Sequence, residues 1–75
     1  MPNIKNLSGK EVIKILESFG FEQLRQKGSH IILTKKTSSG KIGCVVPNHK
    51  DLALGTLKGI LKQANITIEE FSKKL

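Results

Sequence analysis

The spacing of apolar residues changes twice along this chain, and that change restricts its fold more than any other feature. Apolar residues recur at helical spacing near the N-terminus, then at the shorter spacing of strands, then again at helical spacing. The first helical stripe consists of Val12, Ile15, Leu16 and Phe19. The second consists of Leu57, Ile60, Leu61 and Ala64. The pattern predicts a helix, a set of short strands, and a second helix.

Capping signals mark the first predicted helix. Ser8 and Glu11 have the spacing of a capping box, in which each side chain satisfies a free backbone N–H of the first turn. Gly20 follows the last apolar residue of the stripe, which is typical of a C-terminal cap. We therefore expect a helix that begins just after Ser8 and closes at Gly20.

The second helix is predicted to open at Gly55 or Thr56 and to end at Asn65, a residue that tolerates the left-handed conformation. Thr67 and Glu70 then repeat the spacing of a capping box. They predict a short terminal helix.

Three strands are predicted between the helices. The segments are FEQLRQK, with imperfect alternation and half-exposed, then SHIILTKK, then KIGCVV. Gly28 marks the first turn, and TSSG at residues 37–40 is typical of a hairpin loop. Pro47 ends the third strand, since proline cannot donate to a ladder.

This order predicts an α+β fold with the arrangement α-β-β-β-α and a short C-terminal helix. Helices would cover one face of a three-stranded antiparallel sheet and leave the other face open. It is the architecture of double-stranded-RNA-binding domains. We expect one domain over residues 1–75, which is near the lower size limit for folding without disulfides or metals.

Charge is the strongest bulk property of the chain. Thirteen lysine and arginine residues against six acidic residues give a formal net charge of +7. Such an excess favours a polyanionic partner, because neutralised phosphates release counterions. No apolar run reaches the roughly 20 residues of a membrane helix, and the lysines do not form the polar face of one long amphipathic helix, so no membrane partner is expected. A single cysteine and an N-terminus without an apolar core fit a cytoplasmic location.

His30 is the residue best suited to a role in catalysis. It begins the second predicted strand and alternates with Ile32 and Thr34, while Ile31 and Leu33 share the other face. The pair Ile31 and Leu33 is the more apolar, so we assign it to the sheet face that the helices cover and His30 to the open face. A histidine at a strand start can also simply cap backbone groups or sit in solvent.

The second hairpin allows two registers. A turn of Ser39 and Gly40 alone places His30 opposite His49, whereas a loop of residues 37–40 places it opposite Pro47 with His49 one diagonal step away. Either register brings the two histidines to the same end and face of the sheet, provided that the strand persists past Pro47.

An exposed histidine among cations can cleave RNA without a metal. The 2′-hydroxyl is the nucleophile, and cleavage needs a base, an acid and positive charge near the phosphate. Histidine suits the proton transfers, because its ordinary pKa is near 6.5. A Lys27–Gly28 turn would place Arg25 across from His30. The candidate RNA contacts are Arg25, Lys27, Gly28, Ser29, Lys35, Lys36, Lys41 and His49.

Other interpretations of these residues are weaker. A zinc site from His30, Cys44, His49 and Asp51 has no motif spacing behind it, so no metal or cofactor is expected. Cys44 is expected to pack in the third strand, alternating with Ile42. A non-catalytic RNA-binding module and a protein that mainly binds an acidic partner are the alternative functions.

Two long segments, GFEQLRQKGSHIIL and VPNHKDLALGTLKGILKQANITIEEF, closely resemble the HicA family of toxin ribonucleases over about residues 6–71. The resemblance implies a double-stranded-RNA-binding-domain-like fold, metal-independent cleavage of mRNA, and neutralisation by a HicB-like antitoxin. It implies that His30, in the G-S-H motif, is catalytic, and His49 matches a second frequent histidine. Asn65 departs from the glycine that is often found in the family. We expect a monomer alone and a higher-order complex with the antitoxin.

Overall fold

The computed structural model describes residues 7–75, and its elements follow the order predicted from the sequence. The helices are α1 (Gly9–Ser18), α2 (Leu54–Ala64) and α3 (Ile68–Ser72), and the strands are β1 (Glu22–Lys27), β2 (His30–Thr37) and β3 (Gly40–Pro47). The strands form one antiparallel sheet in the order β1-β2-β3. The predicted α+β fold with a short C-terminal helix is confirmed. No helix within residues 7–75 is long and apolar enough to cross a membrane.

The core lies between the helices and one face of β2 and β3. Ile31 and Leu33 of β2 pair with Val46 and Cys44 of β3, and all four side chains are buried. The alternate residues of both strands point away from the helices, because side chains in a strand alternate between the two faces. The prediction that Ile31 and Leu33 lie on the face covered by the helices is therefore confirmed.

Strand β1 is more exposed than the sequence indicated. All six of its residues are exposed, whereas a half-exposed strand was expected. The reason is the position of the helices, since α1 and α2 pack mainly against β3, at the other side of the sheet. The imperfect alternation of β1 also has a structural cause: the register shifts between Gln23 and Arg25, so Leu24 is an inserted residue.

The first hairpin turn lies one residue later than a Lys27–Gly28 turn. Gly28 and Ser29 form the turn, and Lys27 pairs with His30. Gly28 has a φ of 60° while Ser29 does not have a positive φ, the pattern of a type II′ turn with glycine at its first central position. Arg25 consequently pairs with Ile32, so the expectation that Arg25 lies across from His30 is wrong.

The second hairpin has the register that places His30 opposite Pro47. The loop is shorter than the predicted one, because Thr37 pairs with Gly40 and only Ser38 and Ser39 form the turn. The Thr37 hydroxyl donates to the Gly40 carbonyl at 2.9 Å, which continues the pairing up to the turn.

The caps of α1 are those predicted. The Ser8 hydroxyl accepts from the Glu11 N–H at 3.1 Å, and the Glu11 carboxylate accepts from the Ser8 N–H at 2.9 Å. At the other end Gly20 has a φ of 98°, and the Phe21 N–H donates to the Leu16 carbonyl at 3.2 Å. This is a Schellman motif, and the side chains of Leu16 and Phe21 are both buried in the core.

Helix α2 begins at Leu54, just before the predicted start, and its N-cap Ala53 makes no side-chain hydrogen bond. Asn65 ends it with a φ of 60°, as predicted for a residue that tolerates the left-handed conformation. The Thr67–Glu70 capping box of α3 is also present. The hydrogen bond from the Thr67 N–H, followed by that from its hydroxyl, lowers the pKa of Glu70.

The N-terminus of α1 is joined to the segment that follows β3. The Gly9 N–H donates to the His49 carbonyl at 2.8 Å, and the Leu52 N–H donates to the Leu7 carbonyl at 2.8 Å. Gly9 is buried, and a Cβ at this position would collide with the Pro47 carbonyl oxygen. The absence of a side chain at Gly9 therefore allows α1 to approach the end of the sheet.

We expect Gly9→Ala to destabilise the protein and Gly59→Ala to stabilise it. The first change overpacks a close backbone contact and should lower the free energy of unfolding by about 1–3 kcal/mol. The second adds a helix-favouring methyl group in open space within α2 and should raise it by about 0.5–1 kcal/mol. Urea unfolding followed by circular dichroism measures both. A Gly9→Ala protein as stable as the parent would contradict the close packing.

Candidate active site

We call the sheet surface that points away from the helices the open face. It consists of Glu22, Arg25 and Lys27 from β1, of His30, Ile32, Thr34 and Lys36 from β2, and of Lys41, Gly43, Val45 and Pro47 from β3. Among residues 22–47, the segment that contains all three strands, Glu22 is the one acidic residue against five basic ones. The sheet therefore carries a strong excess of positive charge.

The lysines of the open face lie at its two ends. Lys27 is paired directly with His30 at one end, and Lys36 is paired directly with Lys41 at the other. Like charges directly opposite each other destabilise a sheet. The centre carries Arg25 of β1, but its β2–β3 part is apolar, since Val45 is 38 % exposed and pairs with the half-buried Ile32.

His30 is exposed at the first position of β2, immediately after the Gly28–Ser29 turn. Hydrogen bonds hold this turn on both sides. The Asn48 N–H donates to the Ser29 carbonyl at 2.6 Å, and the Gln26 side-chain amide donates to the Gly28 carbonyl at 2.9 Å. The backbone that carries His30 is thus fixed by residues on two neighbouring segments. A ligand can approach closely at Gly28, because no atom apart from those of its chain neighbours lies within 4 Å of the position that a Cβ would occupy.

The structure brings most of the predicted RNA contacts together. Lys27, Arg25, Lys36 and Lys41 share the open face with His30, and Gly28 and Ser29 form the turn beside it. Sequence reasoning missed Asn48, which joins the end of β3 to the turn. The register that pairs His30 with Pro47 indicates this bond, because Ser29 and Asn48 are the next two residues along the same ladder.

Lys35 lies on the other face of the sheet. It alternates with Leu33, on the side of the helices, and is half-buried. Its ammonium group is 5.9 Å from the centre of the Phe21 ring, a cation–π distance. The adjacent Lys36 points to the open face, so the structure groups only one of the two neighbouring lysines with His30.

His49 lies outside the sheet. β3 ends at Pro47, so the condition under which His49 would share the face of His30 is not met. The backbone of His49 is instead bonded to the start of α1. Its exposed side chain lines a shallow cavity with Ser8, Lys10, Asn48 and Lys50.

Cys44 packs in the core, as predicted from its alternation in the third strand. It is 2 % exposed and pairs with the buried Leu33. Burial raises the pKa of its thiol to about 11, whereas the thiolate is the nucleophilic form. Cys44 is therefore not an activated nucleophile. Within residues 7–75, no three histidine, cysteine, aspartate or glutamate side chains come together as a metal site.

We expect the Cys44 thiol of the folded protein to react very slowly with iodoacetamide at pH 8. Its pKa of about 11 leaves little thiolate at that pH, and its burial blocks the reagent. The same protein unfolded in urea is the control and should be labelled at the rate of an ordinary thiol. Mass spectrometry follows both reactions, and equal rates would show that Cys44 is accessible.

Comparison with known proteins identifies the family. The family model described as the HicA toxin of bacterial toxin–antitoxin systems matches residues 9–66, which contain α1, the complete sheet and α2. No curated protein matches the chain. Because the family model covers well over half of the chain, the protein belongs to the HicA toxin family and is a toxin that acts with an antitoxin partner.

Proposed function

We propose that this toxin is a metal-independent endoribonuclease that cleaves mRNA, with His30 as its catalytic residue. The observation that carries the proposal is the exposed imidazole on the open face, directly paired with Lys27 and beside a turn that a ligand can approach. This arrangement places a group suited to proton transfer beside a positive charge that can stabilise the phosphate.

The reaction uses a nucleophile that RNA supplies itself. The 2′-oxygen loses its proton and attacks the adjacent phosphorus, and the bond from phosphorus to the 5′-oxygen breaks. The leaving 5′-oxygen takes up a proton, which gives a 2′,3′-cyclic phosphate and a 5′-hydroxyl. His30 is the group at the site that can accept the first proton, donate the second, or do both in turn. Lys27 stabilises the negative charge that develops on the phosphate oxygens.

The remaining cations of the open face support a bound RNA strand. Lys36 and Lys41 repel each other across the sheet, and a phosphate between them removes that cost. Lys36 lies six residues after His30 in an extended strand, which corresponds to about 20 Å. The RNA would therefore lie along β2 over several nucleotides, with its sugars and bases against Ile32 and Val45.

We expect His30→Ala to lower the rate of RNA cleavage by about 10²–10⁴-fold, the usual contribution of general acid–base catalysis. The assay uses a single-stranded RNA with a chelator present and detects 2′,3′-cyclic phosphate ends. RNA affinity of the variant should be nearly unchanged. Lys58→Ala, an exposed change on α2, serves as the matched control and should keep full activity.

Two results would contradict this assignment. Cleavage by His30→Ala at the rate of the parent protein would show that another group transfers the protons. Salt-dependent RNA binding by the parent protein without cleavage at any pH would instead favour the non-catalytic RNA-binding module.

The antitoxin partner is, on this proposal, an acidic HicB-like protein that covers the open face and blocks access to His30. Charge complementarity supports this arrangement, since an acidic surface would relieve the repulsion between Lys36 and Lys41 as a phosphate would.

We expect the antitoxin to protect His30 from modification by diethyl pyrocarbonate, read by mass spectrometry. We also expect Lys36→Glu/Lys41→Glu to weaken the complex strongly, whereas Lys58→Glu/Lys62→Glu makes the same charge change on α2 and should weaken it little. An inactive complex in which His30 stays fully reactive would refute inhibition by steric blocking.

A further inference from the structure

A groove of about 470 Å³ lies between α1 and the helix-facing side of β1. It exists because α1 packs mainly against β3, so β1 has little helix above it. Ile13 of α1 and Ile31 of β2, both buried members of the core, line the groove on its apolar side. Asn48 also lines it, and the N–H of Asn48 donates to the Ser29 carbonyl. The groove therefore adjoins the turn that carries His30.

The inserted residue of β1 gives this groove two carboxamide side chains. Gln23 pairs with Leu33 and Gln26 pairs with Ile31, so both glutamines lie on the helix-facing side. Residues three apart in a regular strand would point to opposite faces, and the bulge at Leu24 is what places them together. A helix-facing position in a sheet is usually apolar, and here two polar side chains occupy such positions.

The chemistry of the groove fits an unpaired nucleobase. Carboxamides both donate and accept hydrogen bonds, as the edges of bases require, and proteins read RNA sequence mainly on unpaired bases. Lys10 and Lys14 lie one turn apart on α1 at the wall of the groove and can bind phosphates. Glu17, one turn further along, repels phosphates and can accept a hydrogen bond from an exocyclic amine.

We propose that this groove binds a nucleotide that flanks the cleaved phosphate and thereby selects the sites at which the RNA is cut. Gln23 and Gln26 would determine base preference, and Lys10 and Lys14 would hold the backbone. The proposal rests on the ribonuclease function proposed above, and it adds a specificity site on the side of the sheet opposite the open face. The volume is in the range of sites that bind small molecules.

The binding test uses the His30→Ala protein and a fluorescein-labelled single-stranded RNA, so that no cleavage interferes. We expect Lys10→Ala/Lys14→Ala to weaken binding and to reduce the slope of log affinity against log salt by about 1.4, or about 0.7 for each phosphate that is no longer neutralised. Lys58→Ala/Lys62→Ala removes two lysines at the same spacing from α2 and should leave the slope nearly unchanged.

The specificity test uses the active protein and a pool of RNA with randomised sequence, with cut sites read by sequencing. We expect Gln23→Ala/Gln26→Ala to reduce the base preference at a position next to the cut by about tenfold, the discrimination of one well-made pair of hydrogen bonds. The total rate over the pool should change little for Gln23→Ala, whereas the double variant also loses the Gln26 bond to the Gly28 carbonyl and should cut more slowly. The single variant Gln23→Ala distinguishes a loss of base recognition from a disturbed Gly28–Ser29 turn, because only Gln26 donates to the Gly28 carbonyl.

Each outcome decides between named alternatives. The proposal is overturned if the glutamine variants leave the cut sites unchanged and the Lys10→Ala/Lys14→Ala variant leaves the salt slope unchanged. It is also overturned if Lys58→Ala/Lys62→Ala reduces the slope as much as Lys10→Ala/Lys14→Ala does. Glutamine variants that weaken the antitoxin complex but leave the cut sites unchanged would assign the groove to the protein partner and also overturn it. If the parent protein cuts no RNA while Lys10→Ala/Lys14→Ala still lowers the salt slope, the ribonuclease proposal fails and the groove remains an RNA site.

Discussion

The alternation of side chains along β2 is the constraint on which the rest of this structure depends. His30 is exposed and the next residue, Ile31, is buried, so the candidate catalytic position and the core position are neighbours in one strand. A slip of the pairing by one residue would bury the imidazole and expose Ile31 and Leu33. The apolar contacts that stabilise the fold therefore also determine which face carries the site, and no separate structure is needed to present His30.

Helices cover only one side of the sheet, and the uncovered side can carry charge that a buried surface could not. Lys36 and Lys41 oppose each other directly, an arrangement that lowers stability in the free protein. The buried pairing of Leu33 with Cys44 on the other face contributes to holding the strands together despite this repulsion. Local conflicts of this kind are typical of functional surfaces. Any anionic partner would relieve this conflict, and on the function proposed above RNA and an acidic antitoxin would compete for the same face.

The order of elements, the helix caps and the core face of β2 could all be predicted, because each depends on residues close together in sequence. Ser8 with Glu11, and Asn65 at the end of α2, are local signals of this kind. The position of the first turn and the location of His49 could not be predicted in this way. The turn depends on whether Gly28 occupies its first or second central position, and His49 is held by a backbone bond to α1, a long-range contact without a sequence pattern. The bulge at Leu24 appeared in the sequence only as imperfect alternation.

The Gly28–Ser29 turn connects the two surfaces of the protein. Gln26, from the helix-facing side of β1, and Asn48, from the segment after β3, each bond one of its carbonyl groups. His30 leaves the turn towards the open face, while both of these anchoring residues line the groove on the other side. An RNA strand that crosses the edge of the sheet at this turn would contact both surfaces and pass the imidazole between them. A nucleotide in the groove would thus contact the two residues whose hydrogen bonds hold the turn before His30.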